Sequence, residues 1–142
     1  MYKPFVTTML GLFLLAGALP AEAQSKRKQA RLLEQTQSAY ANAVRWGQFE
    51  EAWQLVHPGY RAANPMTELA MERYQQVQVS GYADRTSEGA EDGSVVRNVD
   101  LRVINKHTMS ERGLRYQETW RWDPETRRWW LASGLPDFWD GE

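Results

Sequence analysis

The sequence predicts an α+β fold, with helices first and an antiparallel sheet of about four strands after them. Three observations predict it. Apolar residues recur at helical spacing from Ala30 to Tyr74, the period changes to two beyond Tyr74, and the period-two segments are separated by short turn-forming stretches. Consecutive strands joined by tight turns pair antiparallel, and the preceding helices are left to cover one face of the sheet.

The first helix is read from Leu32, Leu33, Thr36, Tyr40, Ala43 and Val44, and Gly47 ends it because glycine tolerates the left-handed terminal conformation. A second, short helix follows from Gln48, with Phe49, Ala52, Trp53 and Val56 in one stripe and Pro58-Gly59 as its stop. A third opens at Asn64-Pro65, with Asn64 as N-cap and Met66, Leu69, Ala70 and Tyr74 as its buried edge. The first strand alternates Val77, Val79, Gly81 and Ala83 inward with Gln78, Ser80, Tyr82 and Asp84 outward. Residues 87–93 read as a loop. A long strand from Ser94 to His107 then places Val99, Leu101 and Val103 on one face. Glu111-Arg112-Gly113 turns the chain. Leu114, Tyr116, Glu118, Trp120 and Trp122 share the inner face of the next strand, and Arg115, Gln117, Thr119 and Arg121 share the outer one. Asp123 to Thr126 is another turn, and Arg128 to Ser133 is the closing strand.

The start of the chain carries an address. Met1-Tyr2-Lys3 is positively charged, Phe5 to Leu19 is uncharged and largely apolar, and Ala21-Glu22-Ala23 is an A-x-A site that releases Gln24 as the new N-terminus. The apolar run is shorter than the roughly twenty residues a membrane span needs. The expectation is a signal peptide over residues 1–23, a single domain over residues 24–142, and a periplasmic or secreted protein with no stable membrane span after processing. Lys26, Arg27, Lys28 and Arg31 argue the other way, because basic residues just beyond a leader resist translocation. That cluster also reads as a membrane-surface or partner-binding stretch, or as the solvated start of a helix.

Composition excludes several function classes. Removing 23 of the 142 residues leaves 119, enough for one core. The leader takes Lys3 and Glu22, so the net charge stays at −1 and offers no overall attraction for nucleic acid. The chain has no cysteine, which removes disulfides, thiolate metal sites and thiol catalysis. A lipid-modified lipoprotein would need Cys where Gln24 stands. All seven tryptophans lie beyond the leader, so the core rests on apolar burial.

A family resemblance emerges from these pieces. A helix containing Ala39-Tyr40 leads into a Gly47-Gln48-Phe49-Glu50-Glu51-Ala52 step, and a short helix ends in Tyr74. The meander closes on Glu118-x-Trp120 and Arg128-Trp129-Trp130-Leu131. Over most of residues 30–133 this resembles the nuclear-transport-factor-2-like superfamily of cone-shaped α+β, polyketide-cyclase-like domains. The order and lengths of the elements carry the resemblance. It implies N-terminal helices packed in the concave face of a curved sheet, around an open, partly apolar pocket. Members include ketosteroid isomerases, dehydratases and polyketide cyclases, and many others bind ligands or proteins without chemistry. Function must therefore be argued from the pocket.

Glu118 is the best catalytic candidate. Between Tyr116 and Trp120 on an inward face, a carboxylate could act as general acid or base. The alternative is a structural ion pair, for which Arg61 and Arg97 are available. Asp100 falls opposite Val99, Leu101 and Val103 and faces away from the core, which departs from the acid or His–Asp pair of the isomerase and dehydratase members. His57 is read as a cap at a helix C-terminus, and His107 as a solvated strand end. No metal site and no cofactor are assigned.

Trp53, Tyr74, Tyr116, Glu118 and Trp120 are the expected ligand pocket. Trp53, Trp120 and Trp130 either line an aromatic cleft or are core. Trp129 and Trp130 are adjacent and must point to opposite faces of one strand. An outward Trp, with Phe138 and Trp139 in the tail, implies a tail folding back over the sheet or a contact surface. The favoured reading is an exported, non-catalytic binding module. It would hold a small apolar ligand, or a protein partner or second copy through the outer sheet face. A cofactor-free lyase or isomerase using Glu118, with a Tyr or His assisting, and a subunit of an envelope assembly are the alternatives.

Overall fold

The computed structural model describes residues 20–140. It comprises α1 (Ala21–Arg45), α2 (Phe49–Gln54), α3 (Pro58–Ala63), α4 (Glu68–Gln75), β1 (Val77–Gly89), β2 (Val95–Asn105), β3 (Glu111–Asp123) and β4 (Arg128–Leu131). The strands form one antiparallel meander in the order β1-β2-β3-β4, a curved sheet on which the N-terminal helix packs. This is the expected α+β class. No helix among the described residues is long and apolar enough to cross a membrane. Residues 1–19 of the expected signal peptide lie outside the described residues, and the Ala21–Ala23 cleavage site forms the first turn of α1.

α1 starts well before its apolar pattern, because Gln24, Lys26, Arg27, Lys28 and Gln29 are good helix formers. Its core contacts come late, from Tyr40, Ala43 and Val44. Phe49, Ala52 and Val56 bury the α2 stripe as expected, whereas Trp53 stays half-buried against the core. The segment after α2 differs from expectation. Pro58 begins α3 instead of stopping the chain, since a proline at the first helical position loses no hydrogen bond. His57 is the N-cap of α3, its Nδ1 accepting from Gly59 N at 3.0 Å, and so it caps the opposite end of a helix from the one expected. Asn64 closes α3, and Thr67 opens α4 with its hydroxyl accepting from Ala70 N at 3.1 Å. The helix frame therefore rotates. Leu69, expected on the buried edge, is 76% exposed, while Tyr74 still packs inward.

In the sheet, β2 ends at Asn105 and the β2–β3 turn runs through Lys106–Ser110, so Glu111-Arg112-Gly113 belongs to β3. β1 extends to Gly89, and it carries register shifts between Val79 and Gly81 and between Asp84 and Thr86. The first is a bulge at Ser80 beside Gly81. It reverses the alternation, so Tyr82 turns into the core and Ala83 is exposed. The inner faces of β2 and β3 are as expected: Val99, Leu101 and Val103 are buried, and so are Glu118 and Trp120.

Both sheet edges are covered in part. Leu55–His57 runs along β4, with Leu131 N donating to Leu55 O at 3.0 Å and His57 N to Leu131 O at 2.9 Å. Arg45 at the end of α1 donates to Tyr82 O at 2.9 Å on the β1 side. Trp129 faces the helices, and its indole donates to Gln29 O at 2.9 Å, tying β4 to α1. Of the two adjacent tryptophans Trp130 is the outward one, opposite Arg121 and away from Trp53 and Trp120. His57 and Arg128 cover it, leaving it 8% exposed. The tail folds back toward the helices: Phe138 is fully buried against Phe49 and Tyr74.

Candidate functional site

The five expected pocket residues separate into two places. Glu118 and Trp120 lie in the sealed core, and Trp53 and Tyr74 line an open groove. Tyr116 sits between them.

The core site follows from strand register. Arg97 of β2 and Glu118 of β3 are directly opposite, and both face inward. The Ser80 bulge brings Tyr82 to the same spot, and Trp120, two residues beyond Glu118, shares its face. Glu118 Oε2 accepts from Arg97 Nε at 2.9 Å and from Trp120 Nε1 at 2.8 Å, and its Oε1 accepts from the Tyr82 hydroxyl. Arg97 Nη2 also lies 2.8 Å from Glu118 Oε2 and donates to the Tyr82 oxygen at 2.8 Å, which closes the ring of contacts. Arg61, the other cation considered, instead donates to Val56 O and Gln54.

Burial, and after it the Glu118 charge, push the Tyr82 phenol well above its ordinary range, so it remains a donor. Burial alone would lower the Arg97 guanidinium, but the Glu118 and Tyr82 charges raise it above its ordinary value. Glu118 itself has no solvent-accessible surface. In this arrangement it accepts hydrogen bonds from three side chains and has no face toward a substrate. Such a carboxylate orders a core, whereas general acid–base work needs reach to a substrate proton.

Tyr116 belongs to a second polar chain. Its hydroxyl donates to Gly134 O at 2.7 Å, so the Tyr40 hydroxyl, 2.9 Å away, donates to Tyr116. Gly134 sits at φ +76°, and a Cβ there would lie 2.6 Å from the Tyr60 hydroxyl. Both the backbone and the space require glycine.

The groove is built by α2, α3, the α3–α4 link, α4 and the tail. It encloses about 540 Å³. Trp53, Tyr60, Tyr74 and Trp139 supply aromatic walls, and Met66 and the exposed Leu69 supply aliphatic ones. The rings are packed on one another: Trp53 on Tyr60 at 6.3 Å and Tyr74 on Trp139 at 5.1 Å between centroids. The Arg73 guanidinium lies 4.0 Å from the Trp139 ring centre, a cation–π contact that holds the tail ring in place. Tyr74 donates to Pro136 O at 2.9 Å. Burial, then the Asp137 and Tyr60 charges, push its phenol up to about 12.

The remaining candidates stay apart. Asp100 faces outward as expected and is held by Arg85 Nε at 2.6 Å. His107 is exposed in the β2–β3 turn. Among the described residues no cluster of three or more His, Cys, Asp or Glu could hold a metal ion. The sequence reading missed Tyr82, Tyr60, Met66 and Trp139 as parts of either site. Ser80-Gly81 inside a strand pattern was the available signal for Tyr82, since glycine within a strand often marks a bulge.

No protein-family model matches this chain, and no curated protein matches it in sequence.

Proposed function

We propose that this chain is an exported, non-catalytic binding module of the nuclear-transport-factor-2-like kind, whose working surface is the groove between α3, α4 and the tail. One observation carries the reading: rigid, mutually packed aromatic rings border an open cleft, and an exposed leucine stands on its rim. Apolar clefts with a few fixed polar groups are the usual form of a small-molecule site. The occupant is a small apolar ligand, with Arg73, Asn64 and Asp137 as the polar groups that orient it.

The lyase or isomerase alternative loses its acid–base group in this reading, because Glu118 is occupied by Arg97, Tyr82 and Trp120 with no accessible surface. Titration with the neutral fluorophore N-phenyl-1-naphthylamine tests the proposal. Enhanced fluorescence with the parent, weakened at least about tenfold in affinity by Leu69→Glu, supports the groove; tenfold corresponds to about 1.4 kcal/mol. Leu69 is exposed, so its replacement leaves the fold intact. Equal binding by both proteins, or none by the parent, rejects it.

A further inference from the structure

We propose a second binding site in the cleft between α1 and the β3–β4 turn, for a small anion joined to a flat apolar body. The cleft encloses about 390 Å³ and is distinct from the aromatic groove. Its floor and walls are apolar: Trp122 from the end of β3, Leu32 from α1 and Pro124 from the turn. Lys28 and Arg127 stand on opposite sides, one from the helix and one from the turn. No carboxylate lines the cleft. Both side chains are exposed, and among the described residues neither has an ion-pair or hydrogen-bond partner that would compete for an anion.

The backbone adds an independent observation. Arg127 adopts φ +53°, a left-handed conformation that disfavours a long side chain and that glycine adopts freely. An arginine at a position suited to glycine puts its charge at the cleft at the expense of local strain. The apolar wall is fixed from behind. Trp122 packs on Trp129 with centroids 5.7 Å apart, and the Trp129 indole is tied to Gln29 O, itself a residue of the cleft. The apolar wall is thus preorganised, with one aromatic face to stack on, and two exposed, unpartnered cations stand beside it to neutralise an anionic group.

Carboxylate, sulfonate and phosphate groups all fit this chemistry, carried by a free amphiphile or by a lipid headgroup. Calorimetric titration of the full chain with naphthalene-2-sulfonate, using neutral 2-naphthalenemethanol as control, reads the site directly. The expected result is sulfonate binding at least about tenfold tighter than the alcohol, and an affinity loss of about tenfold or more in both Lys28→Gln and Arg127→Gly, since each removes a charge-assisted hydrogen bond. Arg127→Gly relieves the left-handed strain, so lost binding there does not reflect lost folding. Co-sedimentation with phosphatidylglycerol vesicles, abolished by the same two substitutions, assigns the anion to a lipid; no sedimentation assigns it to a free ligand. Equal affinity for the sulfonate and the alcohol, or sulfonate affinity unchanged in both variants, overturns the proposal.

Discussion

Arg97 and Glu118 are register partners on β2 and β3, and their side chains meet inside the core with Arg97 Nε 2.9 Å from Glu118 Oε2. Two charges taken out of water are costly unless each is paired and its remaining donors and acceptors are met. Here Tyr82 and Trp120 complete the set. The ring links three of the four strands: Tyr82 on β1, Arg97 on β2, and Glu118 with Trp120 on β3.

Tyr82→Phe removes both the donor to Glu118 and the acceptor of Arg97 without changing the volume of the core by much. It should destabilise the fold by about 1–3 kcal/mol, the cost of leaving a buried polar group unsatisfied. Guanidinium denaturation of the two proteins measures it. No loss would mean the phenol sits outside the network.

Trp53 is half-buried, with one side on the core and the other on the groove. Truncating a fully buried Trp costs about 3–5 kcal/mol, and a half-buried one should cost roughly half of that. Trp53→Ala should therefore lower the urea midpoint modestly and weaken N-phenyl-1-naphthylamine binding at the same time. A midpoint drop with unchanged binding would remove Trp53 from the groove.

Alkaline stability should follow the buried tyrosines. Burial raises the Tyr74 phenol to about 12 in the folded chain, against the ordinary value of 10.0. Between these values the unfolded chain has released the proton and the folded chain still holds it. Stability is thus unaffected below about pH 10 and falls as pH rises toward 12, by at most ~1.4 kcal/mol per pH unit for each such group. Tyr40, Tyr82 and Tyr116 are raised as well and extend the loss to higher pH. Tyr74→Phe should make the decline between pH 10 and 12 shallower by one group's share, with the other three still contributing. An identical profile in the variant would contradict the assignment.

Much of this architecture was legible in the chain itself. The inward set of β3, Tyr116, Glu118 and Trp120, follows from period-two alternation, and the α2 stripe of Phe49, Ala52 and Val56 follows from helical spacing. Arg97 could be named as a partner for Glu118, but the choice between it and Arg61 depended on strand register, which local pattern does not contain. Alternation alone puts Tyr82 on the wrong face, because a bulge inserts one residue and inverts the strand until the next register shift. The sequence joins core and groove residues in one expected pocket because the far wall of the groove, Leu135 to Trp139, has no periodicity and is placed by long-range contacts such as Tyr74 to Pro136.

Export should leave a measurable end. The apolar run to Leu19 and the A-x-A site at Ala21-Glu22-Ala23 predict a mature chain beginning at Gln24. Intact mass of the protein from the envelope fraction checks this. A full-length mass in the membrane fraction would make the N-terminus an anchor.

The central claim is that Glu118 holds the core together and is not a reactive acid. Urea titration of Glu118→Gln against the parent at pH 7 tests it most directly. The neutral amide leaves the Arg97 charge buried without its counter-ion, and breaking such a pair costs about 3–5 kcal/mol. The account predicts a clearly lower midpoint for Glu118→Gln with an unchanged slope. A variant at least as stable as the parent would contradict it and return Glu118 to the role of a catalytic acid.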